Sequence, residues 1–218
     1  MTDVRKRIDP EFAALLGPRF QLEELERYPA SVFGLWPDST LAYVNPAWTA
    51  FAAANGGQPD VARHWGLGAR FLDAIAEPLR PFYERLLASA PDAGASLHPV
   101  THLYECSSAT LNRKFSMQVY SLPARAGFVV VNALLFETPH DAASHAPHAA
   151  ERGRYLNARG VIIQCCHCRL VQRADEPARW DWVPAWVERF PVETSHSLCV
   201  ICFEYYYPQE AGSTVQAA

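Results

Sequence analysis

Five of the six cysteines in this 218-residue chain fall between residues 165 and 202, and four of them form two Cys-x-x-Cys pairs, Cys165/Cys168 and Cys199/Cys202. Two residues between thiols let both sulfurs turn toward one ion while knuckle amides donate to them, so each pair supplies half of a tetrahedral shell. Whatever the last quarter of the chain folds into must bring these two halves together. The insert of 30 residues between Cys168 and Cys199 is no obstacle, because closure entropy rises only slowly with loop length and the insert can form structure of its own. A lone pair would also suit a redox motif, whereas two in tandem favour a four-sulfur structural zinc site. An iron-sulfur cluster uses the same four thiolates and spacing does not exclude it. A set of inert buried thiols is the third alternative.

Three neighbours bear on the ligand set. Cys166 and His167 sit inside the first knuckle, and His196 stands three residues before Cys199. His196 is a candidate hydrogen-bond donor to a sulfur or a substitute ligand, and is kept apart from the four cysteines. Between the pairs, Trp182, Trp186 and Phe190 are spaced by four, which predicts one apolar stripe on a helix over VPAWVERF and, with Trp180, the core of a small module. From Cys165 to Pro208 four arginines and no lysine face six acids. Nucleic-acid-binding modules carry a basic face, so nucleic acid is not the expected partner.

Upstream, the chain reads as a different kind of structure. Asp9 caps and Pro10 opens a short helix, and Gly17-Pro18 breaks the run before FQLEELERY, giving an amphipathic leader able to pack on a neighbour. SVFGLW and LAYV are strands joined by the turn Pro37 to Thr40. Asn45-Pro46 starts a helix, AWTAFAAAN, that Gly56-Gly57 stops. Residues 58–70 read as loop and 71–91 as helical pieces interrupted by Pro78 and Pro81. Three strand-like runs follow at 96–106, 111–121 and 127–137. The middle one alternates Phe115, Met117 and Val119 against Ser116, Gln118 and Tyr120, the period of a half-buried strand. Residues 138–153, rich in Ala, His and Pro, read as a linker. Its three histidines are more simply solvated than ligating.

The order two strands, helices, three strands, together with LAYVNPAWTAF, resembles the PAS domain family over roughly residues 20–137. The carrying residues are Tyr43-Val44-Asn45 at the end of a strand and, later, Gly68 and Asp73. The resemblance implies a five-stranded antiparallel sheet whose concave face, covered by helices, can hold a ligand or cofactor. Trp36, Tyr43, Phe51, Phe71, Phe82, Met117 and Val131 are the candidate pocket residues, with core filling as the alternative. The Asn-Cys-Arg-Phe-Leu type motif of the flavin-binding branch is missing. No histidine falls in 71–91, where the haem-binding branch places one, although His64, His98 and His102 are near.

The C-terminal pattern, Cys165, Cys168, Arg169, Trp180, Ser195, His196, Cys199, Cys202, Tyr207 and Pro208, resembles a cysteine-rich extension found in bacterial PAS-containing sensors and response regulators. Ser197 and Val200 depart from that pattern, which commonly has Gly and Pro there, and they touch loop backbone only. The expected organisation is α+β: a helical leader at 1–29, a PAS-like domain at 30–137, the linker at 138–153, a zinc-binding module at 154–210 and a tail at 211–218.

Half the residues are hydrophobic and 19% charged, enough apolar mass to bury a sizeable core. The net charge of −4 supplies no field drawing the chain to a polyanion. Its longest apolar stretch, Gly127 to Phe136, is about half of what a membrane-crossing helix needs. No secretory signal opens the chain, so a cytoplasmic protein with reduced thiols is expected. No GxSxG, phosphate-cradling glycine loop or HExxH occurs, and no enzyme is expected. The expected function is a signalling sensor or adaptor that acts by protein contact, with a small-molecule ligand and a homodimer as further expectations. A redox or iron-sulfur protein is the alternative.

Overall fold

The computed structural model of the protein describes residues 4–92, 98–141 and 146–208. The chain forms two compact units, one from Met1–His102 and Ser116–Ala133, the other from Leu103–Phe115 and Leu134–Ala218. Strands β1 (Ser31–Leu35), β2 (Leu41–Val44), β3 (Val100–Glu105), β4 (Leu111–Ser121) and β5 (Phe128–Pro139) build a five-stranded antiparallel sheet in the order β2-β1-β5-β4-β3. The α+β architecture and the two-strand, helix, three-strand order are those expected.

In the first unit the leader does not reach out. Asp9 accepts the Glu11 N–H and caps α1 (Pro10–Leu15), and α2 (Leu22–Arg27) follows a 3-10 turn at Gly17–Arg19. Phe12, Leu16 and Leu25 from these helices join Val32, Tyr43, Val129 and Val131 in one buried cluster. The register explains the fit: Gly34 pairs with Tyr43 on one side and Val129 on the other. A Cβ at Gly34 would strike the Phe12 ring, so the missing side chain lets that ring lie against the sheet. This packing covers a face on which the alternation of β4 alone leaves Tyr120 facing water. Tyr120 instead meets Phe20 edge-on at 5.5 Å.

Asn45 ties these pieces together. Its Oδ1 accepts the N–H groups of Val32 and Trp48, and its Nδ2 donates to the carbonyls of Leu25, Tyr28 and Ala30. One fully buried side chain thus caps α3 (Pro46–Ala54) and fastens the end of α2 to β1. Residues 58–70 are not all loop, since α4 (Asp60–His64) occupies part of them. Gly57 carbonyl accepts the Val61 N–H there, so the double glycine that ends α3 also starts the next turn. Pro81 does not interrupt α5 (Arg80–Ser89) but sits in its first turn, where a missing N–H costs nothing.

In the second unit, α6 (Arg152–Tyr155), β6 (Ile162–Cys165), β7 (Val171–Gln172), β8 (Trp180–Asp181), α7 (Pro184–Glu188), β9 (Thr194–Ser197) and α8 (Val200–Tyr206) follow in order. The sheet order is β8-β7-β6-β9, with β6 and β9 parallel. Tyr155, Ile162, Val171, Val183 and Trp186 form its core. The expected stripe of Trp182, Trp186 and Phe190 is not formed. α7 begins after Trp182 and ends at Glu188, and Phe190 is 59% exposed. Phe190 precedes Pro191, and a residue before proline is driven out of the helical region.

Residues 138–153 are only partly a connection. Thr138 and Pro139 complete β5, His140 lies 4.3 Å from the Trp182 ring, and the His148 N–H donates to the Trp182 carbonyl. His145 and the tail at 211–218 lie outside the described residues. Among the described residues no helix is long and apolar enough to cross a membrane.

Candidate metal centre

The parallel pairing of β6 with β9 sets Cys165 opposite Ser197, and the Cys166 N–H donates to the Ser197 carbonyl. The chain after each strand therefore starts from neighbouring points. After β6 it turns back at once: the Arg169 N–H bonds the Cys165 carbonyl, and the Cys165 N–H bonds the Leu170 carbonyl. Arg169 takes a left-handed φ of 65° to close this knuckle. After β9, Cys199 becomes the N-cap of α8, and its sulfur accepts the Cys202 N–H at 3.4 Å.

These two devices gather the four sulfurs of Cys165, Cys168, Cys199 and Cys202 within 4.8 Å of one another. Cys168 and Cys199 sulfurs stand 3.7 Å apart. Thiolates bonded at about 2.3 Å to one tetrahedral ion stand about 3.8 Å apart, so the set fits a single ion with little adjustment. Cys165, Cys199 and Cys202 are buried and Cys168 half-buried. Hydrogen bonds from Cys168, and then from Cys199 and Cys202, push the Cys165 thiol far down. The same bond to Cys165 holds Cys168 well above the ordinary range. The Cys199 thiol is also lowered and the Cys202 thiol raised, so ionisation of some sulfurs opposes that of the others. A multivalent cation is what relieves that opposition.

The neighbours sort themselves by geometry. His167 is buried, with Nδ1 2.7 Å from the Glu105 carbonyl and Nε2 2.9 Å from the Tyr207 hydroxyl. A carbonyl only accepts, so Nδ1 carries the proton and Nε2 accepts from Tyr207. Both ring nitrogens are engaged away from the sulfurs. Burial lowers the imidazole's proton affinity, which favours this neutral tautomer. Cys166 is a half-buried thiol that burial pushes up to about 12. His196 is exposed, meets Phe190 edge-on at 5.7 Å and lies outside the four-sulfur group. Of the linker histidines, His140 bonds the Ser108 carbonyl and His148 approaches Asp181 at 3.7 Å.

The candidate pocket residues are not gathered in one place. Tyr43 and Val131 belong to the cluster under the leader helices, and Trp36 packs against it, edge-on to Phe12. Phe71 contacts Phe33 and Tyr83, and Phe82 contacts Tyr83 and His102. β1 sends Phe33 to the side opposite Val32 and Gly34, so the two groups lie on opposite faces of the sheet. Met117 is buried in β4 and Phe51 is exposed on α3. The first unit instead has an open cavity of about 440 Å³ lined by Pro37, Asp38, Ser39, Arg70, Leu72, Glu84, Leu87, Ala88, Arg125 and Phe128. None of the seven lines it. Its arginines come from turns without hydrophobic period or motif, and only the turn signal at Pro37 to Thr40 pointed there.

No family model matches the chain, and no curated protein matches it.

Proposed function

We propose that the protein is a cytoplasmic sensor and adaptor of signal transduction that carries out no reaction itself. In this reading the PAS-like first unit binds a small ligand, a zinc ion holds the second unit together, and the signal leaves by protein contact. The observation that carries the reading is the joining, in one chain, of a sheet unit bearing an open cavity to a four-cysteine cluster able to hold a metal ion. The two-strand, helix, three-strand order supports the PAS-like assignment. The gathering of four sulfurs within 4.8 Å of one another supports a metal centre held by the two cysteine pairs.

Protein contact is supported by the apolar side chains that the second unit leaves in water. Leu134, Leu135 and Phe136 on β5 and Val200, Ile201 and Tyr205 on α8 are all exposed. Lys114 Nζ lies 5.7 Å from the Phe136 ring and 4.9 Å from that of Tyr205, so the two rows share one cation. Homodimerisation through the leader is less favoured, because Phe12, Leu16 and Leu25 are buried on its own sheet.

Melting of the metal-loaded full chain across a metabolite library, with hydrogen exchange on any hit, tests the sensing role. A ligand that raises the melting temperature and protects the first unit is expected; a chain indifferent to every compound contradicts it. The iron-sulfur alternative differs by colour, since a cluster absorbs visible light and zinc does not.

A further inference from the structure

The cavity of the first unit has a chemistry more specific than its size. It is walled by two arginines, Arg70 and Arg125, two acids, Asp38 and Glu84, and the apolar surfaces of Pro37, Leu72, Leu87 and Phe128. The salt bridges among the described residues involve none of these four charges. Arg125 is held in place by the carbonyls of Leu87 and Ala88 near the end of α5, neutral partners that leave its positive charge uncancelled. Asp38 is partly engaged, accepting the Thr40 N–H at 3.0 Å. Glu84 is exposed on α5.

Ser39 adds a second, independent observation. It is 2% exposed, lines the cavity, and its Oγ has no hydrogen-bond partner among the described residues. A buried hydroxyl without a partner is costly, and a polar ligand group admitted by a small shift of that wall would supply one. Ser39, Ala124 and Arg125 also have φ of 69°, 54° and 55°. Both turns that frame the cavity therefore hold non-glycine residues in the left-handed region, where backbone strain accompanies binding sites more often than plain turns.

A simple anion entering this space would meet two carboxylates, and a simple cation two guanidinium groups. A molecule with both charges close together and an apolar remainder satisfies all the walls. Resting on the sensor reading above, we propose that the cavity binds an apolar α-amino acid. Its carboxylate is taken by Arg70 and Arg125, its ammonium by the acids with Glu84 foremost, and its side chain by Leu72, Leu87 and Phe128. The volume of about 440 Å³ lies within the range of small-molecule sites.

Isothermal titration of the metal-loaded full chain with valine, leucine, isoleucine, methionine and phenylalanine tests this. At least one is expected to bind with Kd below about 1 mM. For leucine the matched half-molecules are 4-methylpentanoate and 3-methylbutylamine, and each half-molecule should bind about tenfold or more weakly than its amino acid. Arg70→Gln and Glu84→Gln, both at exposed positions that leave the fold intact, should each weaken the amino acid by a similar factor. Arg63→Gln on α4 should not. Hydrogen exchange should show protection at residues 37–39, 84–88 and 123–128. Equal binding of the carboxylate alone, binding of inorganic phosphate in preference, or no binding by all five overturns the proposal. If the five fail while another metabolite protects the first unit, the sensor reading stands without this ligand class. If no compound acts at all, both fall.

Discussion

Tyr207 donates its hydroxyl to Nε2 of His167 at 2.9 Å, while Nδ1 of the same ring is held 2.7 Å from the Glu105 carbonyl. A histidine inside a Cys-x-x-Cys knuckle is thereby used as a strut, linking the knuckle to β3 and to the residue after α8. His167→Ala should destabilise the second unit by about 3 kcal/mol, because the buried Tyr207 hydroxyl and the half-buried Glu105 carbonyl lose their bonds. It should leave the metal content of the purified chain unchanged. Urea unfolding beside metal analysis checks both, and loss of the metal would mark His167 as a ligand.

The buried pair Tyr155 and Asp181 gives a pH signature. Tyr155 donates to Asp181 at 3.0 Å. Burial, followed by that bond, pushes its phenol from 10.0 up to about 12. Between these values the unfolded chain loses the proton first, so the unfolded state binds fewer protons and stability falls as pH rises. The contribution is complete below about pH 10 and is lost on the way to about 12. Tyr155→Phe should cost about 2 kcal/mol at pH 8. Its deficit against the parent should shrink between about pH 10 and 12, as measured by urea unfolding at each pH.

Asn45 is the test of how the leader is joined to the sheet. Asn45→Ala removes a helix cap and strips a partner from three carbonyls, that of Leu25 buried and those of Tyr28 and Ala30 part-buried, at a cost of about 3 kcal/mol. Asn45→Asp keeps the capping oxygen but turns a second acceptor toward those carbonyls, so capping alone should not rescue it. Equal stability of the Asp variant and the parent would contradict the assigned amide orientation.

Gly34 and Phe12 should behave as a coupled pair. Gly34→Ala pushes a methyl into the Phe12 ring and should cost about 2 kcal/mol by overpacking. With Phe12→Leu already in place the same change should cost less. A double-mutant cycle showing simple additivity would contradict the close approach.

The parts of the fold legible in the sequence are those set by chemistry local to a few residues. Asp9-Pro10 and Asn45-Pro46 cap helices by bonds to their own next turn, and the cysteine pairs carry their spacing with them. What was not legible depends on distant partners. Nothing near Phe12 announces that it will lie over Gly34, and nothing in β6 announces parallel pairing with β9. The Phe190-Pro191 step is a local signal that the helix stops, and it outweighs the spacing of the aromatics. The sequence sets His167 inside the first cysteine knuckle, yet its role follows from Glu105 and Tyr207, 62 and 40 residues away.

The proposed sensor and adaptor depends on one structural zinc ion held by Cys165, Cys168, Cys199 and Cys202. Metal analysis with an absorbance spectrum of the full chain, purified without added metal, addresses it most directly. About one zinc per chain and no visible absorption are expected. Cys199→Ser should lose the metal, while Cys106→Ser and Cys166→Ser keep it. Iron with visible absorption, or full metal content in Cys199→Ser, would contradict the account.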